Sequence, residues 1–239
     1  MNIKVGMLIL PSAILALSSL VASANLISQF ETQFNTDWSY AGVGGLRGTG
    51  ASSINLSGVS GTVNQAYLYW HGPTNSTDPT HNANINFVST PISGTNIGFS
   101  DDNQWARANS QAYRADVTTL VTGNGNYSLS GLVPNDTNGA SLVVFFDDGD
   151  STNNRDVVLY DGNDANDVNI YDPYGWDITL SGINYSSGTA SLLFGVSDGQ
   201  SWLSDPLLPN GTTIAGPAVV FDGPTVPTTA GTTVTNGSL

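Results

Sequence analysis

The chain has 239 residues, a formal net charge of −14, no cysteine and a single lysine, Lys4. Phosphate recognition needs clustered Lys and Arg, so this balance excludes nucleic acid and anionic lipid as partners and favours solubility and cation binding instead. The missing cysteines exclude a disulfide framework and leave stability to a hydrophobic core, which a domain of this length can bury.

Residues 1–24 read as a secretory signal peptide. Lys4 is followed by an apolar run over 5–21 and by Ala22-Ser23-Ala24, a small-residue cleavage site. The run is broken by Pro11, Ser12, Ser18 and Ser19, and at about 17 residues it is marginal for a bilayer. Cleavage after Ala24 is expected rather than anchoring, which gives a secreted or cell-surface protein with no membrane span in the mature chain. With no cysteine at the cleavage site, lipid anchoring is excluded. An exported chain without cysteine fits a bacterial or archaeal source.

The expected strands follow in order: residues 52–56, 64–70, 84–88, 126–129, 140–146, 156–160, 176–180, 190–196 and 218–221. In 64–70 (NQAYLYW), Ala66, Leu68 and Trp70 share one face and Tyr67 and Tyr69 the other. Residues 140–146 (ASLVVFF) are apolar on both faces, as in a central strand covered twice. Residues 116–121 (DVTTLV) suggest one helical turn with Asp116 as its N-cap. Asn-Gly at Asn124, Asn138, Asn210 and Asn236, and Asp-Gly at Asp148, Asp161, Asp198 and Asp222, supply turn chemistry between the strands. No segment of ten or more residues after the leader has helical periodicity. The fold expectation is all-β: a single antiparallel β-sandwich of jelly-roll type over residues 25–222, with 223–239 as a Pro/Thr/Gly-rich tail or linker. Leu68, Trp70, Val143, Phe145, Val158, Leu192 and Phe194 are its expected core.

Few residues offer chemistry. Gly195-Val196-Ser197-Asp198-Gly199 matches a nucleophile elbow, but no helix pattern follows and both histidines, His71 and His81, precede the serine; a hairpin turn explains it better. His71, His81 and Asp78 form a thin metal constellation. The only glutamate, Glu31, lies far from the dense aspartates, so no carboxylate pair for glycoside hydrolysis stands out. The segment 147–177 holds half of the aspartates. Within it Asp161, Asn163, Asp164 and Asp167 present closely spaced oxygens of the kind calcium takes, and calcium is the one cofactor indicated. Trp38, Trp105, Tyr174, Trp176 and Trp202 are candidates for a sugar platform, against the usual placing of aromatics in a β core.

Five segments in succession carry a resemblance: 66–70 (AYLYW), 113–121 (YRADVTTLV), 125–131 (GNYSLSG), 139–146 (GASLVVFF) and 155–162 (RDVVLYDG). Together they resemble an exported bacterial β-module found in the N-terminal region of large surface or adhesin-like proteins and in some exosortase-sorted (PEP-CTERM) proteins. The resemblance implies a surface-associated β-module and assigns no catalytic residue. The leading expectation is a non-enzymatic extracellular module with an adhesive, matrix or structural role. A calcium-dependent carbohydrate-binding module comes second and a secreted glycan-active enzyme third. Glycans, other surface proteins and copies of the chain itself are the expected partners.

Overall fold

The computed structural model describes residues 27–101, 106–165, 168–171, 179, 181–183, 189–193, 195 and 231–235. Among these residues twelve strands run in chain order: β1 (Ser28–Val43), β2 (Ser52–Leu56), β3 (Thr62–Thr74), β4 (Asn84–Phe87), β5 (Thr90–Ser93), β6 (Thr95–Ser100), β7 (Asn109–Asp116), β8 (Gly125–Ser130), β9 (Gly139–Asp147), β10 (Arg155–Asp161), β11 (Thr189–Leu193) and β12 (Gly231–Thr235). One sheet is ordered β10-β1-β9-β3-β7-β6, a second β2-β8-β4-β5, and β11 pairs with β12; all pairings are antiparallel. The all-β sandwich expected from the alternating strands is what the chain forms. The pair β11–β12 draws one of its strands from the 223–239 segment read as a linker.

The period-two pattern of β3 sets the packing. Ala66, Leu68 and Trp70 join Tyr113 and Ala115 of β7 and Leu142, Val144 and Phe146 of β9 against Ile54, Leu56, Ile85, Phe87, Tyr127 and Leu129 of the second sheet. Two ring pairs stack inside this core, Trp70 on Tyr113 at 5.5 Å and Phe87 on Tyr127 at 5.6 Å between centroids. A Cβ on Gly94 would collide with the Trp70 indole, and one on Gly72 with the Asp136 carbonyl, so both positions need glycine for close approach.

Strand β9 is covered on both faces, as its apolar run implied. Phe145 is fully buried on the second face, beside Trp38 of β1. Residues 37–43 of β1 pair with β9, whereas residues 28–36 pair with β10, and within the β10 pairing the register shifts between Gln33 and Thr36. Asn35, at φ 52°, supplies the break, a conformation that asparagine tolerates better than most. The β1–β10 ribbon lies over the second face of β3 and β7, where Phe30 meets the Tyr67 ring edge-on at 5.2 Å. A two-stranded ribbon covers less than a sheet does, so Val143 and Val158, expected in the core, are only half-buried. The Leu192 and Phe194 side chains lie outside the described residues, as do strands expected at 176–180 and 218–221.

Residues 116–121 do turn helically, but as a 3-10 turn at Thr118–Leu120 with Val117 in the N-cap position. Asp116 sits one residue earlier and accepts hydrogen bonds from the Thr118 N–H and hydroxyl at 2.9 and 2.7 Å, an Asx turn rather than an α-helix cap. The described Asx-Gly dipeptides mark strand ends. The two-residue hairpin between β4 and β5 instead uses Val88 and Ser89, both left-handed at φ 50° and 63°. A β-branched residue is poorly suited there. Replacing Val88 and Ser89 by Asn-Gly should therefore raise stability by about 1–2 kcal/mol in urea unfolding, while Phe145→Ala should lower it by about 3–5 kcal/mol. A hairpin variant no more stable than the parent would show that Val88 is not strained.

Candidate functional site

A cluster of ionisable side chains sits on the second face of the first sheet, where the ribbon closes over it. Arg114 of β7 points out of that face, pairs with the Asp161 carboxylate at the end of β10, and lies under the Phe30 ring with its guanidinium carbon 3.3 Å from the centroid. Both partners of the ion pair are largely shielded, with side-chain exposures of 19% and 12%. Tyr69 donates from its hydroxyl to the same Asp161 carboxylate at 3.2 Å, and Tyr67 donates to Glu31 at 2.5 Å. Burial, with Asp161 alongside, pushes the Tyr69 hydroxyl far above the ordinary tyrosine pKa; burial and the Glu31 hydrogen bond do the same for Tyr67. Both phenols are therefore held neutral near neutrality, Tyr67 donating to Glu31 and Tyr69 to Asp161. The cluster is equipped to hold the ribbon down.

The residues expected to bind calcium start from this cluster. Asp161 is taken by Arg114 and Tyr69. Asn163 is buried, its amide donating to the Gly98 and Ser110 carbonyls and to the Ser110 hydroxyl at 3.1–3.2 Å, which pins the loop to β6 and β7. Asp164 is half-buried, and Asp167 lies outside the described residues. Among the described residues no three His, Asp or Glu side chains gather in a metal-binding group. Arg155, the sequence neighbour of these aspartates, bonds the Asn153 and Asn154 carbonyls at 2.7 and 2.8 Å instead. Beyond the pinned root, Val168 and Ile170 stand 68% and 89% exposed. Of the aromatic candidates, Trp38 is half-buried and stacked on Tyr40 at 5.7 Å; Trp105, Tyr174, Trp176, Trp202 and the elbow Ser197 lie outside the described residues.

The histidines serve separate places at one end of the sandwich. His81 Nε2 meets Asp136 Oδ2 at 2.7 Å, and the Thr74 hydroxyl donates to the same oxygen at 2.8 Å. Asp78 is occupied by the Thr80 N–H and hydroxyl, both at 2.8 Å. Between these loops sits Asn82, buried, and engaged at every polar group. Its N–H donates to the Tyr113 hydroxyl, its amide to the Asp136 carbonyl and the Thr137 hydroxyl, while its side-chain oxygen accepts from Val133 and its carbonyl from Trp70 Nε1 at 2.8 Å. His71 points to the second face, with Nδ1 shut off from solvent and no hydrogen-bond partner among the described residues. Burial lowers its pKa to about 4.

Sequence reading missed Arg114, Glu31 and Asn82. Each has a partner far off in sequence, Tyr67 being 36 residues from Glu31, Tyr113 31 from Asn82 and Asp161 47 from Arg114, and no spacing rule links Arg114 to Asp161. Comparison with family models, curated proteins and solved structures finds no match to this chain.

His71 gives the site a pH signature. It is held neutral in the fold but protonates near pH 6.5 once unfolded. Its contribution is full above pH 6.5 and lost as pH falls toward 4. His71→Gln should flatten the decline of melting temperature between pH 6.5 and 4; parallel curves for variant and parent would place His71 in contact with water.

Proposed function

We propose that the chain is an exported, non-catalytic surface module with an adhesive, matrix or structural role. The observation that carries this reading is how the ionisable side chains are spent. Arg114, Asp161 and Glu31 hold the ribbon over the second face, and His81 and Asp136 tie two loops at one end. Acid/base or nucleophilic chemistry needs such groups converging on a cleft with their protons free to move. Here they are consumed in cross-braces, which is what a scaffold presenting its surface requires. The loop after β10, rooted by Asp161 and Asn163 and exposing Val168 and Ile170, suits contact with a partner: rigid root, accessible apolar tip. A leader over residues 1–24 accounts for export. Among the described residues no helix is long and apolar enough to cross a membrane.

The calcium-dependent glycan-binding reading makes a separate demand. Calcium held by the native loop through Asp161, Asn163, Asp164 and Asp167 would raise the melting temperature with the logarithm of its concentration. A response flat to millimolar calcium in chelator-treated protein leaves the loop held by Arg114 and Asn163 alone. The surface-module reading is tested by fractionating cells that make the native protein and sequencing its N-terminus. The expected result is a chain beginning at Asn25 in the surface or extracellular fraction; a cytosolic chain beginning at Met1 overturns it.

A further inference from the structure

The four-stranded sheet turns one face into the core and the other to solvent, and the outer face has an unusual composition. Its outward positions are Ser53 and Asn55 of β2, Asn126, Ser128 and Ser130 of β8, Asn84 and Asn86 of β4, and Pro91 and Ser93 of β5, each alternating with a core-facing residue. Eight of the nine are Asn or Ser, types that make up 51 of the chain's 239 residues. None is charged, on a protein of net charge −14. Solvent-facing strand positions ordinarily favour Thr, β-branched or aromatic residues, and Asn is depleted from strands. Propensity therefore opposes this face, and something other than folding accounts for it.

The register arranges the polar groups in rows. Ser53 lies opposite Ser128, Asn55 opposite Asn126, Asn86 opposite Ser130 on one side and Pro91 on the other, and Asn84 opposite Ser93. Neighbouring strands are about 4.8 Å apart and alternate residues of one strand about 6.8 Å apart, so the face is a lattice of short amides and hydroxyls. None of the eight side chains makes a hydrogen bond within the protein among the described residues, whereas Asn82, Asn96, Asn109, Asn124 and Asn163 each anchor a loop or strand. At the β4–β5 end the face dips into an open depression of about 450 Å³ lined by Asn84, Asn86, Pro91 and Ser93 and the adjoining Ile85 and Ile92.

We infer that this face binds a neutral polysaccharide. Such a ligand presents hydroxyls that both donate and accept, which Asn amides and Ser hydroxyls match in kind. It carries no charge, so a face free of carboxylates meets it without burying an unpaired ion. Short side chains lose little rotamer freedom on contact, and a packed sheet holds them in place before binding. Pro91 supplies the one apolar patch, in the depression. The inference names a ligand class for the surface-module reading and rests on it for biological setting only, because binding can be measured whatever the cellular location.

The experiment is retention of the full chain on insoluble cellulose, chitin and β-1,3-glucan, with alginate as the anionic comparison, in buffer containing a chelator. Retention on at least one neutral polymer and none on alginate is expected. Asn86→Asp with Ser128→Asp, which puts two carboxylates on the face, should weaken it at least about tenfold at an unchanged melting temperature. Asn55→Ala with Asn126→Ala serves if the first pair fails to fold, and Phe34→Ser, on β1, should bind as the parent does. No retention on any neutral polymer overturns the inference. So does retention untouched by the face variants, retention lost on chelation, loss with Trp38→Ala alone, or concentration-dependent dimerisation that the face variants abolish. A protein found in the cytosol that still binds would sink the surface-module reading and leave this one standing.

Discussion

Everything outside the main core depends on closing the second face of the first sheet. Strands β3 and β9 are central, so their outward sides cannot be left to water: Phe145 is fully buried there and Tyr67 nearly so. Those sides also carry the Tyr67 and Tyr69 hydroxyls and the Arg114 guanidinium, which need partners once covered. The β1–β10 ribbon supplies both needs, apolar cover through Phe30 and charge through Glu31 and Asp161. Desolvating a guanidinium is costly unless it is paired and hydrogen-bonded, and Arg114 is stacked on Phe30 as well as paired with Asp161. In a chain with so few cations, placing one inside the fold ties the end of β10 to β7, and with it the root of the loop that follows.

The main core was legible in the sequence because its strands obey the rule that reveals them. Ala66, Leu68 and Trp70 alternate with Tyr67 and Tyr69, and the double-sided run of β9 announces a central strand. Strand β1 was not legible. Its 16 residues serve two different partners, and the pairing with β10 is itself shifted at Gln29/Glu31 and around Asn35, so no single alternation survives along its length. The β4–β5 hairpin was hidden for a different reason: its turn uses Val88-Ser89, which carries none of the usual signal, and the packing of Ile85, Phe87 and Ile92 imposes the conformation. The Asp-rich segment was visible as composition, but composition cannot show that Asp161 faces an arginine 47 residues earlier.

Charge and polarity are divided by location. The Arg114–Asp161 ion pair lies on the second face of the first sheet and the His81–Asp136 hydrogen bond at one end, the buried amides brace loops, and the outer face of the second sheet keeps uncharged side chains free. Among the described residues, the ribbon closes the second face of the first sheet, the outer face of the second sheet is exposed, and the segment after β10 exposes Val168 and Ile170. Exposed charge is kept off the outer face of the second sheet, on aspartates such as Asp78, Asp116, Asp147, Asp150 and Asp156.

The central claim is that Arg114 and Asp161 act as a pair in clamping the ribbon, and a double-mutant cycle with Arg114→Met and Asp161→Asn in urea unfolding tests it most directly. Each single change should destabilise by about 3 kcal/mol or more, because it leaves the other charge buried without a partner. The double variant should cost little more than the worse single, giving a coupling energy of about 1.5–3 kcal/mol. Additive single effects, with coupling below about 0.5 kcal/mol, would mean that the ribbon is held by apolar cover alone and that the clamp is incidental.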